Sequence, residues 1–126
     1  MLAGQPIIAF VTTTNAEIAR PFYEETLGLK VTDVGPHAIV FDAGGVMLRM
    51  ALTKKIEPAP YTVLGWAVTD IKATIAGLTA RGVEFEDYDW FEQDEQQVWT
   101  SPDGSKIAWF KDPDGNLLSL TQFATR

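Results

Sequence analysis

The clearest alternation of apolar and polar side chains lies in residues 105–122, which have the sequence SKIAWFKDPDGNLLSLTQ. A DPDGN turn divides this segment, because Pro113 presets φ and Gly115 can adopt a positive φ. The pattern predicts a β-hairpin in which Trp109 lies opposite Ser119. One face is apolar and is predicted to be core: Ala108, Phe110, Leu118 and Leu120. The other face is mixed, as in the side of a pocket: Ile107, Trp109, Lys111, Leu117, Ser119 and Thr121.

The N-terminal half begins with a β-branched, apolar segment at residues 7–13, which predicts a strand. Asn15 then offers an N-cap for a helix that is expected to end at Gly28 and to kink at Pro21. The apolar stripe of this helix consists of Ile18, Phe22 and Tyr23. Three short strands are predicted to follow, at residues 30–34, 37–42 and 45–51.

The C-terminal half repeats this order of elements. Residues 62–68 predict a strand, Asp70 offers an N-cap, and Gly82 ends the helix. One face of this helix carries Ile71, Ile75 and Leu78. A further strand is predicted to begin at residues 83–85, ahead of the hairpin.

The two halves form an internal repeat, which predicts an α+β fold built from two βαβββ modules. The predicted boundaries are module one at about 5–52, a polar, proline-containing linker at 53–60 and module two at about 61–123, within one domain of residues 1–126. The second module carries an acidic and aromatic insert within residues 86–100. Each module must bury one face of its sheet, and the two could do so jointly.

Composition narrows the classes of partner. Ten basic residues against seventeen acidic ones give a formal net charge of −7, which argues against nucleic-acid binding because that requires a basic face. No apolar run approaches the length of a membrane span, and the N-terminus lacks the pattern of a signal peptide, so a cytoplasmic protein is expected. The absence of cysteine excludes disulfides and cysteine-ligated metals.

Arg49 is the sharpest candidate for contact with a ligand. The alternation of its strand puts Arg49 and Met47 on one face, and Phe10 is predicted to share that face. A guanidinium there would bind a carboxylate or phosphate bidentately, beside apolar surface from the other two side chains. The alternatives are that Arg49 pairs with an acidic residue of segment 86–95 or extends into solvent.

Aromatic residues supply the other candidates. Trp109, opposite Ser119, could stack on a planar ligand or simply pack in the core. The insert around Trp90 is interpreted as a lid, a dimer contact or a plain loop, and its carboxylates as a less favoured site for a hard cation. His37 could act as a general base, but the sequence offers it no partner, so a structural role is favoured.

Three segments at this spacing are similar to a known family. They are FYEETLGLKV after the first N-cap, LTARGVEF at the end of the second helix, and FKDPDGNLLSLTQ in the hairpin. The chain thereby resembles the vicinal oxygen chelate superfamily of glyoxalases, extradiol dioxygenases and bleomycin-resistance proteins. This resemblance implies paired βαβββ modules that form a curved mixed sheet around a cavity, commonly in a dimer.

The resemblance also implies where a metal would be bound. Metal-dependent members place His, Gln or Glu at four strand positions, which here fall on Ile8, Val63, Arg49 and Ser119. Two aliphatic side chains, a guanidinium and a hydroxyl do not make a ligand set for a divalent ion. We therefore predict no metal at the usual place and no cofactor.

Two hypotheses from different classes stay open. The first is a metal-independent binding protein, expected to be a homodimer, that sequesters a small molecule that is mostly apolar and, if Arg49 contacts it, anionic. Substitution of Arg49 would test it. The second is a lyase, isomerase or dioxygenase-like enzyme with a non-standard or metal-dependent site, so enzymatic activity is undecided. The missing ligands favour the first. The predicted ligand-binding residues are Phe10, Met47, Arg49, Trp90, Trp109 and Ser119.

Overall fold

The structure is a computed structural model that describes residues 1–125. It divides into two compact units, of which the first spans Met1–Glu57 and the second begins at Pro58. Each unit has the element order βαβββ, so the predicted α+β class and the predicted repeat are confirmed. None of the helices within residues 1–125 is long and apolar enough to cross a membrane.

The first unit contains one helical segment and four strands. These are β1 (Ile8–Thr13), α1 (Ala16–Pro21), a π-helical turn (Phe22–Thr26), β2 (Lys30–Val34), β3 (Ala38–Ala43) and β4 (Val46–Leu52). The strands form a mixed sheet in the order β1-β4-β3-β2, with β1 parallel to β4 and the other neighbours antiparallel. Tyr23 packs on Phe41 with ring centroids 5.7 Å apart, which places the helical segment on the face that Phe41 shares with Leu48.

The first helix changes from α to π geometry after Pro21, the residue at which a kink was predicted. Asn15 caps the helix by accepting a hydrogen bond from the Glu17 backbone N–H. After Pro21 the helix continues in π geometry, in which the Leu27 N–H donates to the Phe22 carbonyl at 2.9 Å. Ile18, which belongs to the predicted apolar stripe of this helix, is 57% exposed, because the buried face is centred on Tyr23 and Ala19.

The second unit contains one helix and four strands. These are β5 (Leu64–Ala67), α2 (Ile71–Ala80), β6 (Trp99–Thr100), β7 (Lys106–Lys111) and β8 (Leu117–Gln122). The strands form a mixed sheet in the order β5-β8-β7-β6, with β5 parallel to β8. Asp70 caps α2 and Gly82 follows it with φ of 92°, as the sequence predicted.

The β7–β8 hairpin has the predicted register. Trp109 lies opposite Ser119, and Phe110 lies opposite Leu118. The face predicted to be core is buried throughout: Ala108, Phe110, Leu118 and Leu120. Gln122 lies on this face and accepts a hydrogen bond from the Ile71 N–H of α2 at 2.8 Å, so α2 packs against the face and Trp109 lies on the opposite one.

The predicted strand at residues 83–85 was wrong. Only Phe85 pairs there, as an isolated bridge to Phe110. The second strand of this module is instead the short β6, which pairs with β7. After Phe85 and Glu86 the backbone leaves β7, and it pairs with β7 again from Trp99.

Asp112 holds the hairpin turn together from inside. Its carboxylate accepts hydrogen bonds from the backbone N–H groups of Asp114 and Asn116, both at 2.9 Å, and from the Asn116 side chain at 2.8 Å. Asp112 and Asn116 are each only 6% exposed. When a buried acceptor is removed, each buried donor bonded to it is left without a partner, and the protein loses stability by the desolvation penalty of those donors. This carboxylate is therefore expected to dominate the stability of the turn.

We predict that Asp112→Ala lowers the free energy of unfolding by about 2–3 kcal/mol, because it leaves buried N–H donors without an acceptor. Urea denaturation followed by circular dichroism measures the change. Asp87→Ala removes an exposed carboxylate of the same unit and should stay within about 0.5 kcal/mol of the parent. An equally small loss for Asp112→Ala would contradict the role assigned to this turn.

Candidate ligand-binding site

A cleft of about 560 Å³ lies entirely within the second unit, and we call it the aromatic cleft. Two loop segments and the adjoining ends of β7 and β8 form it. The residues that line it are Pro58, Ala59, Pro60, Tyr61, Thr62, Glu86, Tyr88, Trp90, Phe91, Trp109, Lys111, Gly115 and Leu117. Its size is within the range of small-molecule sites in proteins.

Backbone hydrogen bonds set the order of these segments across the sheet. The Val63 N–H donates to the Leu117 carbonyl at 3.0 Å, which places segment 58–62 at the β8 side. The Glu86 N–H donates to the Trp109 carbonyl at 2.7 Å, which places the insert at the β7 side. Leu117 lies opposite Lys111 between the two segments. The strand ends therefore form the floor of the cleft and the two loops flank it.

Five aromatic side chains form a cluster of ring contacts on this face of the sheet. Phe91 lies parallel to Trp109, with ring centroids 5.2 Å apart and an interplanar angle of 2°. Trp99 packs on Phe91 at 4.5 Å, and Tyr88 meets Trp109 edge-on at 5.5 Å. Trp90 completes the cluster by stacking on Tyr88 at 4.9 Å. These contacts favour the interpretation of the insert as a loop packed on the sheet.

Trp90 is the part of this cluster most open to a ligand. One side of its ring is supported by Tyr88, yet 74% of its surface is exposed. Exposed aromatic rings held in place at the edge of a cleft offer a stacking surface at little conformational cost. A planar molecule in the aromatic cleft would therefore find a ring already in position.

Gln93 fixes the shape of the insert. Its amide nitrogen donates to the carbonyls of Glu86 at 3.0 Å and Gln97 at 2.9 Å, and its amide oxygen accepts from the Tyr88 N–H at 2.7 Å. Asp94 adds a second set of bonds by accepting from the N–H groups of Gln96 and Val98. One side chain thus ties both ends of the loop that carries Tyr88 and Trp90.

The charges at the cleft are partly compensated. Lys111 Nζ lies 3.4 Å from Glu86 Oε1, and both groups are partly exposed, so the pair contributes little to stability. Burial and the nearby Glu86 carboxylate raise the pKa of Tyr88 above its usual value. A phenol is already protonated at neutral pH, and an upward shift of its pKa leaves the O–H in place as a donor.

The structure brings two of the sequence-predicted site residues together in this cleft: Trp90 and Trp109. Ser119 is on the same face as Trp109 but is buried and does not line the cleft. A Cβ atom placed on Gly65 would lie 2.8 Å from Ser119 Oγ, so these neighbouring strands approach closely here. Ser119 therefore occupies a tightly packed position in the sheet.

The other three predicted residues, Phe10, Met47 and Arg49, belong to the first unit. Phe10 pairs with Arg49, and the alternation of β4 puts Met47 on that same face, opposite the helical segment. All three are exposed, Phe10 by 57%. Within the first unit, the Arg49 side chain makes no hydrogen bond or ion pair.

Sequence reasoning missed several residues of the cleft. Residues 58–60 were interpreted only as the end of a linker and Thr62 as the start of a strand, yet all five residues of segment 58–62 line the cleft. The available signal was Tyr61, an aromatic residue next to two prolines, Pro58 and Pro60, that restrict the backbone. Glu86 was also missed, because its pairing with Lys111 depends on where the insert meets β7.

The side chains at the positions implied by the resemblance do not fit a metal. Ile8 and Val63 have no donor atom, Arg49 is a cation, and Ser119 offers one neutral hydroxyl. Within the described part of the chain, no group of three or more His, Asp or Glu side chains is arranged to hold an ion. The donor chemistry of these residues therefore disagrees with that of the metal-dependent enzymes.

Residues 7–120 match the family model described as Glyoxalase/Bleomycin resistance protein/Dioxygenase superfamily. The chain belongs to this superfamily. The match covers both βαβββ units, so the resemblance inferred from the three short segments is confirmed. No curated protein matches the chain significantly.

Solved structures of the superfamily resemble the chain over nearly its whole length. A superfamily member from Sphaerobacter thermophilus is 25% identical, with a TM-score of 0.71 over 93% of this chain and 97% of that one. The fosfomycin resistance protein FosX from Listeria monocytogenes is 12% identical, with a TM-score of 0.77 over 98% and 96%. Lactoylglutathione lyase from Agrobacterium tumefaciens is 16% identical, with a TM-score of 0.74 over 95% of each chain. The last two likenesses show the fold alone.

We predict that Gln93→Ala loosens the insert, because it removes three hydrogen bonds to the loop backbone. The expected result is faster hydrogen exchange of the Tyr88 N–H and a loss of about 1–3 kcal/mol in the free energy of unfolding. Gln96→Ala is the matched control, since the exposed Gln96 amide donates one longer bond, of 3.2 Å, to the Lys72 carbonyl. Equal exchange rates in the two variants would contradict the role of Gln93.

Proposed function

We propose that this superfamily member is a metal-independent binding protein that sequesters a planar, mostly apolar small molecule. The observation that carries the proposal is the exposed Trp90 ring, held by Tyr88 at the edge of a cleft of about 560 Å³. A ring that is both supported and exposed is suited to stack on a planar ligand. The cleft is lined largely by aromatic and proline side chains, as is typical of small-molecule sites.

The side chains at the expected metal-binding positions favour binding of a ligand without its turnover. The fold does not decide this point, because its solved neighbours include both a resistance protein and a lyase by name. The positions where metal-dependent relatives are expected to bind their ion hold Ile8, Val63, Arg49 and Ser119 here. Within residues 1–125 no alternative cluster of metal-binding side chains replaces them.

Arg49 is the reason to propose that the ligand also carries an anionic group. Its exposed guanidinium has no carboxylate partner within the first unit and lies beside the apolar surface of Phe10 and Met47. We propose that this face of the first unit contacts a carboxylate or phosphate group. A homodimer is also proposed, from the family resemblance, and the predicted cytoplasmic location stays a prediction.

We predict that the neutral planar probe 2-naphthylmethanol binds the protein, and that Trp90→Ala weakens binding roughly tenfold through loss of stacking. Calorimetric titration and saturation-transfer NMR measure the affinity. Phe123→Ala is the matched control, because Phe123 is 68% exposed but does not line the cleft. Equal losses in both variants, or no binding of the probe at millimolar concentration, would refute the proposal.

Elemental analysis separates binding from metal-dependent catalysis. We predict that protein expressed in metal-supplemented medium holds less than one equivalent of zinc, nickel, manganese or iron, because the residues at the expected site supply no suitable donors. Treatment with a chelator should leave both the unfolding temperature and the affinity for 2-naphthylmethanol unchanged. A stoichiometric metal that is lost to the chelator along with thermal stability would reverse this conclusion in favour of an enzyme.

A further inference from the structure

We infer that the aromatic cleft of the second unit selects planar aromatic cations over anions of the same shape. This inference rests on the proposed function, since it assumes that the cleft takes a planar ligand. It adds the sign of the ligand's charge. For this cleft a cationic ligand replaces the anionic one that was expected from Arg49. The ligand class is an aromatic ring that bears an amine or guanidinium group.

The charge of the insert is one-sided. Residues 86–95 contain six carboxylates and no basic residue: Glu86, Asp87, Asp89, Glu92, Asp94 and Glu95. The opposite flank, segment 58–62, is uncharged. The residues that line the cleft include one cation, Lys111, and its ammonium is already paired with Glu86 at 3.4 Å. An entering anion would therefore find no unpaired cationic partner among these lining residues.

Two of the carboxylates are uncompensated and are neighbours of the ring-bearing residues in the sequence. Asp87 and Asp89 stand on either side of Tyr88 in the chain, and Asp89 precedes Trp90. Both are exposed, and in the part of the chain that the structure describes neither makes a hydrogen bond or an ion pair. Asp94 differs, because its carboxylate is used by the N–H groups of Gln96 and Val98.

The rings themselves favour the same sign of charge. The face of an aromatic ring is negative, and Trp binds cations over its face better than Tyr or Phe does. Trp90 is held in position by Tyr88 and is largely exposed, so a cation can reach its face without rearrangement. Ring face and flanking carboxylates therefore act in the same direction on a ligand that stacks here.

The test compares three probes of one shape: 2-naphthylmethylammonium, neutral 2-naphthylmethanol and 2-naphthoate. We expect calorimetry at low ionic strength to give an affinity for the cation roughly tenfold above that for the anion, with the neutral probe between them. The preference should shrink at high ionic strength, because exposed charges are screened.

A pair of matched variants separates local charge from net charge. Asp87→Asn with Asp89→Asn should reduce the cation preference severalfold while leaving the neutral probe unaffected. Glu17→Gln with Asp33→Asn removes the same number of exposed carboxylates from the first unit and should leave the preference unchanged. Equal effects of the two pairs would overturn the inference, since net charge alone would then explain the result.

The remaining outcomes distinguish this inference from the proposed function. Binding of 2-naphthoate at least as tight as that of the cation would overturn the inference, while binding of the neutral probe would still support the proposed function. If Arg49→Ala then abolished naphthoate binding, the anion would be assigned to the first unit's face. Failure of all three probes to bind would remove the proposed function itself.

Discussion

The register of the β7–β8 hairpin determines what each face of the second unit's sheet can do. Asp112 closes the turn through buried hydrogen bonds, and this closure sets Trp109 opposite Ser119. A shift of one residue would exchange the two faces, because side chains alternate along a strand. Trp109 would then point towards α2, and the aromatic cluster would lose the ring on which Phe91 stacks. The packing of the aromatic cluster therefore depends on the closure of a turn by Asp112, a residue that does not line the cleft.

Local patterns were sufficient for much of the fold. Capping by Asn15 and Asp70, the glycine after each helix and the hairpin register depend on interactions within a few residues, so they could be predicted from the sequence. The strand predicted at residues 83–85 was wrong, because apolar character alone does not show that the following chain will leave the sheet edge. The exposure of Ile18 could not be predicted for a similar reason, since packing decides which face of a helix is buried.

The candidate site was only partly predictable. Trp109 follows from alternation, and Trp90 from the unusual composition of the insert. The contribution of segment 58–62 arises from its position beside β8, and the pair of Glu86 with Lys111 arises from a backbone hydrogen bond between the insert and β7. Both are contacts between parts of the chain that are distant in sequence, and no alternation or capping pattern encodes them.

The hydrogen bonds of Gln93 have a consequence for how this scaffold can diversify. They join Glu86, Tyr88 and Gln97 to one another, so these backbone groups of the insert are satisfied within the insert itself. A segment that closes on itself in this way can change in length or composition while the sheet keeps its pairing. A change confined to this loop would alter the aromatic cleft and leave the framework of the sheet in place.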